Sequence, residues 1–128
     1  MKKIILVFLL ILFSRNCFAE IPDELAVRAI MGEASGEGYE SMQTHASAIR
    51  NRGTLRGVYG CYAPHVWHEP EWVWAKARQA WKDSATFDYA SGADHWGSKA
   101  CDKDWIAEME KKMDFIKEVN GTRFYKER

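Results

Sequence analysis

No apolar run in this 128-residue chain is longer than ten residues. The longest, Ile4 to Phe13, is too short to cross roughly 30 Å of hydrocarbon as a helix. An excess of charge of one sign is also missing, since 18 Lys and Arg balance 18 Asp and Glu. Without a basic surplus the chain lacks the footprint of a nucleic-acid binder, so nucleic acid is not an expected partner. Metal-ligand spacing is absent too. None of the three cysteines has a neighbour at C-x-x-C spacing, and there is no H-E-x-x-H. His65 and His68 are three apart, but Pro64 and Pro70 bracket them in a loop with no third ligand placed. No metal and no cofactor are expected. Internal repeats, low-complexity tracts and inter-domain linkers are lacking as well, which leaves a single domain with one core.

The N-terminus has its own character. Lys2 and Lys3 precede the apolar run, Ser14-Arg15-Asn16 breaks it, and Cys17 and Ala19 supply small residues at the positions signal peptidase inspects. Residues 1–19 read as a signal peptide cut after Ala19, with the domain over 20–128. An uncleaved anchor and a lipoprotein attached at Cys17 are the competing readings. Residues 14–16 fit the small-apolar context of lipid attachment poorly. The expected location is secreted, periplasmic or in the cell envelope, with no stable membrane insertion after cleavage. Cleavage removes Lys2, Lys3 and Arg15 and no acid, leaving 15 basic against 18 acidic residues. It also leaves Cys61 and Cys101, an even pair bound for an oxidising space. A disulfide between them is expected. It would close a loop of about forty residues and constrain the unfolded chain by about 4 kcal/mol. Two free thiols are the alternative.

Helical spacing dominates the rest. Pro22 suits the opening of a helix, where its missing N–H is not needed, and Asp23 and Glu24 carry the right charge for the first turn. Leu25, Ala26, Ala29 and Ile30 share a face, and Glu33 continues it before Gly36 and Gly38 break the helix. A second helix fits Tyr39 to Arg52 with Gly53 as its stop, and the two form a hairpin. Residues 53–70 read as a long irregular segment, of the kind that is often functional. A third helix fits Glu71 to Asp83. A short strand fits within Asp88–Ser98, and a last helical stretch runs from about Lys103 to Glu118. Asn120-Gly121 marks a turn before a terminal strand at Thr122–Tyr125.

Glu33 is the most informative residue. The spacing that packs the first helix into a core carries its carboxyl toward apolar surroundings, and burial disfavours the charged form. A carboxylic acid that keeps its proton near neutral pH is suited to protonating a leaving oxygen, as in glycoside cleavage. The competing reading is a carboxylate paired with Arg28, Arg50 or Arg52.

These segments resemble the SleB-like cell wall hydrolases, the catalytic domain of spore-cortex-lytic enzymes. The family's Ala-Arg-hydrophobic-x-Gly-Glu-Ala stretch stands here as Val27-Arg28-Ala29-Ile30-Met31-Gly32-Glu33-Ala34, followed by Gly36-Glu37, Tyr39-Glu40 and Asn51-Arg52. Its Ala-x-His-aromatic motif is matched by Ala93-Asp94-His95-Trp96, and its closing Trp and Gly-x-x-Phe-Tyr by Trp105 and Gly121-Thr122-Arg123-Phe124-Tyr125. The match covers nearly all of residues 24–126 in order. The chain departs from the pattern at Thr122, Asn120 and His45 and through 56–74.

The resemblance implies an α+β, mostly helical, lysozyme-like single domain with a small β element near the C-terminus. It implies action on peptidoglycan glycan strands between N-acetylmuramic acid and N-acetylglucosamine, with Glu33 as the single catalytic glutamate of a lytic transglycosylase. The alternatives are a muramidase using a second carboxylate, from Glu37, Glu40 or Asp94, and a non-catalytic peptidoglycan-binding protein. Glu37, Tyr39, His95, Trp96 and Tyr125 are the candidate substrate-binding residues. Trp96 would stack on a sugar, and Tyr125 would donate its hydroxyl to the glycan. Trp74, Trp81 and Trp105 are expected in the core, and Asn51 and Arg52 are read as structural residues that tie the second helix to the turn. No sequence feature names an accessory or activating protein.

Overall fold

Pro22 opens the first helix as expected, and α1 runs Asp23–Ala34. This computed structural model describes Glu20 to Arg128, so the signal-peptide reading of residues 1–19 and Cys17 lie outside the described residues. Helix α1 buries Ala26, Val27, Ala29, Ile30, Met31 and Ala34. Leu25, expected on that face, is 42% exposed. The buried stripe is rotated toward Val27 and Met31. A turn with Gly38 at φ 91° leads into α2 (Tyr39–Arg52), which ends on Gly53 at φ 74°. The Gly53 N–H donates to Ile49 O and Arg50 O at 3.0 and 3.1 Å, satisfying carbonyls that a helix end leaves open. The irregular segment holds two short 3-10 turns, Gly60–Tyr62 and Pro64–His68, before α3 (Glu71–Asp83).

The C-terminal half holds β1 (His95–Ser98), α4 (Lys103–Lys112), β2 (Met113–Val119) and β3 (Thr122–Glu127). The sheet is antiparallel in the order β1-β3-β2. The sequence predicts helix through Glu118; the chain instead leaves the helix at Lys112 and enters β2 directly. The reason lies in Phe115, Ile116 and Val119, which favour strand, and in the turn that follows. Asn120 (φ 47°) and Gly121 (φ 83°) both sit in left-handed backbone, which a two-residue type I′ hairpin requires. That turn pairs Val119 with Thr122. The register slips between Phe115 and Lys117, leaving Ile116 as a bulge packed against apolar residues.

Two apolar clusters result. The larger joins α1, α2, α3 and the 3-10 turns, and the smaller gathers Ala48, Ala90, Ala93, Val119 and Phe124. Trp96 packs against both. Trp81 is buried as expected, but Trp105 is 47% exposed. The expected disulfide is not formed. Cys61 is buried in the larger cluster with its thiol donating to Val58 O at 3.2 Å, while Cys101 stands exposed in the turn after β1. Both are free thiols, because one is folded into the helical half and the other is left at the surface of the sheet half. Among the described residues no helix is long and apolar enough to cross a membrane.

Candidate active site

Glu33 stands in the last turn of α1, beside a very close backbone approach between Gly32 and Gly60. A Cβ built on Gly32 would lie 1.9 Å from Gly60 O, so only glycine lets the 3-10 turn sit against the helix there. A Cβ on Gly60 would in turn meet Ala29 O at 2.7 Å and Glu33 Cγ at 2.8 Å. The two glycines therefore clamp the backbone that aims Glu33. The carboxyl faces a cleft of about 550 Å³. Val58 and Tyr59 line it from the helical half, and His95, Trp96, Asp102 and Trp105 from the sheet half.

Burial pushes the Glu33 carboxyl above its ordinary range. The polar groups of Trp96 and the Gly60 backbone near it pull the other way, while the negative charges of Asp102 and Glu37 push it further up. Among the described residues no ion pair includes Glu33. The three arginines considered as partners are engaged elsewhere. Arg28 lies over the Trp67 ring, and Arg50 donates to Ser84 Oγ and Trp81 O. Arg52 donates to Arg56 O at 3.2 and 2.7 Å and to Asp94 O at 3.4 Å, tying the end of α2 to the strand side of the cleft.

The sheet-side groups are fixed by local hydrogen bonds. His95 Nδ1 and Asp94 Oδ1 are 2.8 Å apart, and Asp94 Oδ1 also accepts from the Glu127 N–H at 3.0 Å. Asp102 Oδ2 accepts from the Ser98 N–H at 2.8 Å, and the Trp105 indole donates to Trp96 O at 3.2 Å. Behind Trp96 lies buried His45, its ring edge-on to Trp96 (5.6 Å) and Phe124 (4.9 Å) and its Nδ1 2.8 Å from Ser41 O.

Of the residues proposed from sequence, the fold brings together Glu33, His95 and Trp96. Glu37 acts on Glu33 through its charge, but its carboxylate accepts from Ser41 Oγ at 2.7 Å and does not line the cleft. Tyr39 is turned away, its hydroxyl donating to Asp83 at the end of α3. Tyr125 is fully buried. Its hydroxyl donates to Glu110 Oε1 and accepts from Arg123 Nε, both at 3.0 Å, so it is not presented to a glycan. Asn51 ties α2 to the segment before β1 and not to the turn after α1, donating to Asp88 and to Ala93 O at 2.9 Å. Sequence reading missed Asp102 and the clamp at Gly60. The glycine-rich run at 53–60 is the only signal that pointed to the second, and nothing pointed to the first. Among the described residues no three His, Cys, Asp or Glu side chains are grouped to hold a metal ion.

The fold and site together define a lysozyme-like α+β domain whose cleft holds one carboxyl biased toward its protonated form. Among solved structures, the chain is similar to the catalytic domain of the germination-specific lytic transglycosylase SleB from Bacillus anthracis. The identity is 22% and the TM-score 0.60, over 87% of this chain and 98% of that one. It is also similar to the catalytic domain of the Bacillus cereus SleB protein, at 21% identity and a TM-score of 0.56, over 84% and 93%. The chain thus has the fold of a SleB catalytic domain. No family model and no curated protein sequence matches it.

Proposed function

We propose that this chain is a peptidoglycan-degrading enzyme that cleaves the glycan strand between N-acetylmuramic acid and N-acetylglucosamine as a lytic transglycosylase. The observation that carries the reading is the Glu33 carboxyl, unpaired and held toward its protonated form in a cleft of this fold. Glu33 first donates its proton to the glycosidic oxygen as the bond to the muramyl anomeric carbon breaks. The muramyl C6 hydroxyl then attacks that carbon, and its proton passes to the Glu33 carboxylate. The products are a 1,6-anhydro-muramyl end and a free N-acetylglucosamine hydroxyl, and no water is consumed. His95, Trp96 and Trp105 offer ring faces and polar edges for the sugars flanking the cut. The site would act outside the cytoplasm once residues 1–19 are removed, a step checked by N-terminal sequencing of the exported protein.

One observation favours a second reading, a muramidase. Asp102 lines the cleft with Glu33. The carboxylates suggested from sequence do not: Glu37 is held by Ser41, Asp94 is held by His95 and Glu127, and Glu40 lies exposed outside the lining. Hydrolysis would need a second carboxylate at a suitable separation from Glu33. Mass spectrometry of the soluble products of purified peptidoglycan decides between the two. Anhydro-muramyl ends support the transglycosylase, and reducing muramic ends support the muramidase with Asp102. If folded protein releases no glycan from several wall types, both give way to a binding protein.

A further inference from the structure

A cavity of about 660 Å³, larger than the cleft, opens beside the first turns of α1. It shares no lining residue with the cleft. Arg28, in its wall, precedes Glu33 by five residues, roughly 140° around an α-helix. Cavity and cleft therefore lie on different flanks of one helix.

Its walls combine aromatic rings with cationic side chains. Trp67, from the second 3-10 turn, is 64% exposed. It stands 6.2 Å from the Trp74 ring of α3 at a tilt of 38°. The Arg28 guanidinium lies over Trp67 at 4.7 Å from the ring centre. Arg28 Nε is buried with no hydrogen-bond partner, the one such side-chain atom among the described residues. Arg28 and Lys82, also in the lining, enter none of the ion pairs among the described residues. Glu24, a lining acid, is exposed, and the other, Asp23, accepts the Trp81 indole N–H at 2.7 Å. A desolvated donor without a partner costs stability, and beside it Trp67 offers an open ring edge and face inside the cavity. The cavity therefore suits a ligand that lays an apolar ring face on Trp67 and brings an anion to the Arg28 and Lys82 charges.

We propose that this cavity is a second glycan-binding site, which takes a muramyl sugar through its ring face and its carboxylate. The carboxylate is that of the lactyl group or of an attached stem peptide. The inference rests on the reading of this chain as a peptidoglycan enzyme. Because the site is on the other flank of α1, it holds a different stretch of strand from the one being cut. It thereby keeps the enzyme on an insoluble wall through effective concentration.

The test uses the full chain carrying Glu33→Gln, so that binding is read without cleavage. Co-sedimentation with insoluble peptidoglycan is measured for that protein and for it with Trp67→Ala or Lys82→Glu, two exposed positions. Each added substitution is expected to weaken binding about tenfold, or 1.4 kcal/mol. Unchanged binding in both overturns the site. Chitin oligosaccharides, which have the ring but no carboxylate, are expected to compete at least about tenfold less well than muramyl fragments; equal competition overturns the carboxylate half of the proposal. In the active chain, Trp67→Ala should slow release from insoluble wall and leave turnover of short soluble fragments unchanged. An equal loss on both would make the residue part of the catalytic machinery and overturn the inference. Failure of the underlying reading looks different, since then the parent releases no glycan from either substrate.

Discussion

Glu33 reaches the cleft from a helix pressed backbone to backbone against the Gly60 turn, whereas Trp96 reaches it from a small sheet and Asp102 from the start of α4, hydrogen-bonded back to that sheet. On the helical side a Cβ at Gly32 would meet main chain at 1.9 Å. On the sheet side the three atoms nearest a Cβ at Gly97 all belong to side chains, Ile106 Cγ1 and Met109 Cε at 3.0 Å and Trp105 Cδ1 at 3.3 Å. The difference has a chemical use. The group that transfers the proton must be held to a fraction of an ångström, and main-chain packing supplies that. The opposite wall supplies charge and ring faces, which act over longer distances and tolerate adjustment of side chains.

The largest effect should come from the proton itself. Glu33→Gln keeps the shape of the side chain and removes the transferable proton, so release of glycan should fall by about 10²–10⁴-fold, the typical contribution of a general acid. Folding should not suffer. The native carboxyl sits above its usual range, so the folded state resists the ionisation that the unfolded chain undergoes freely, and stability drains away as pH rises through that window. Glutamine has no such penalty. The melting temperature of the variant at pH 7 should therefore be no lower than the parent's; a clear drop would mean that Glu33 is a structural partner and not a strained acid.

Next comes the contrast between the two walls. Gly32→Ala should cost more than about 3 kcal/mol in urea unfolding, because neither backbone can yield. Gly60→Ala should cost about 1–3 kcal/mol and also lower activity by displacing Glu33. Gly97→Ala should cost less than Gly60→Ala, since the Met109 and Ile106 side chains can move aside. Gly36→Ala, with nothing within 4 Å of the new methyl group, should stay within about 0.5 kcal/mol. If Gly97→Ala proves as costly as Gly32→Ala, the two sides are equally rigid.

The same contrast marks what could be read in the sequence. The helical half was legible because a 3.6-residue stripe states both the element and its buried face. Thus α1, α2 and α3 fell where their apolar spacing and end signals put them, and Glu33 came with them. The sheet half depends on partners distant in sequence. Lys103 to Glu118 alternates apolar and charged residues in a way that suits a helix, and only pairing with β3 across Asn120-Gly121 turns its second part into strand. Asp102 comes to the cleft through that pairing, since β3 carries β1 into place and the Ser98 N–H at the end of β1 holds Asp102. Tyr125 was misjudged for a related reason. Its hydroxyl meets Glu110 and Arg123, partners supplied by α4 and by its own strand. The cysteine pair failed because an even count says nothing about burial on separate halves.

His45 joins the halves and should show it in acid. Burial holds its imidazole neutral, with the pKa lowered from 6.5 to about 4. The unfolded chain therefore binds a proton between those values that the native state refuses, and stability falls as pH drops from about 6.5 to about 4. At about 1.4 kcal/mol per unit, the loss approaches 3 kcal/mol. His45→Leu should flatten that part of the curve of unfolding free energy against pH. A variant with the parent's slope would place the acid sensitivity elsewhere.

The smallest expected effect is at Asp102, and it is the one that separates the two chemistries. If Asp102 acts only through its field, Asp102→Asn removes a negative charge that helps Glu33 hold its proton. The fraction of protein with a protonated Glu33 then falls at a lower pH, and the alkaline limb of the kcat profile moves toward acid. The maximal rate changes little, and the products keep their anhydro ends. If Asp102 is instead the second carboxylate of a hydrolase, the same substitution removes a reacting group, and the maximal rate drops by orders of magnitude at every pH. A shifted limb with an intact maximum keeps Glu33 as the sole acid/base. A collapsed profile with reducing muramic ends would make the sheet half a chemical partner and not merely the electrostatic wall opposite the clamp.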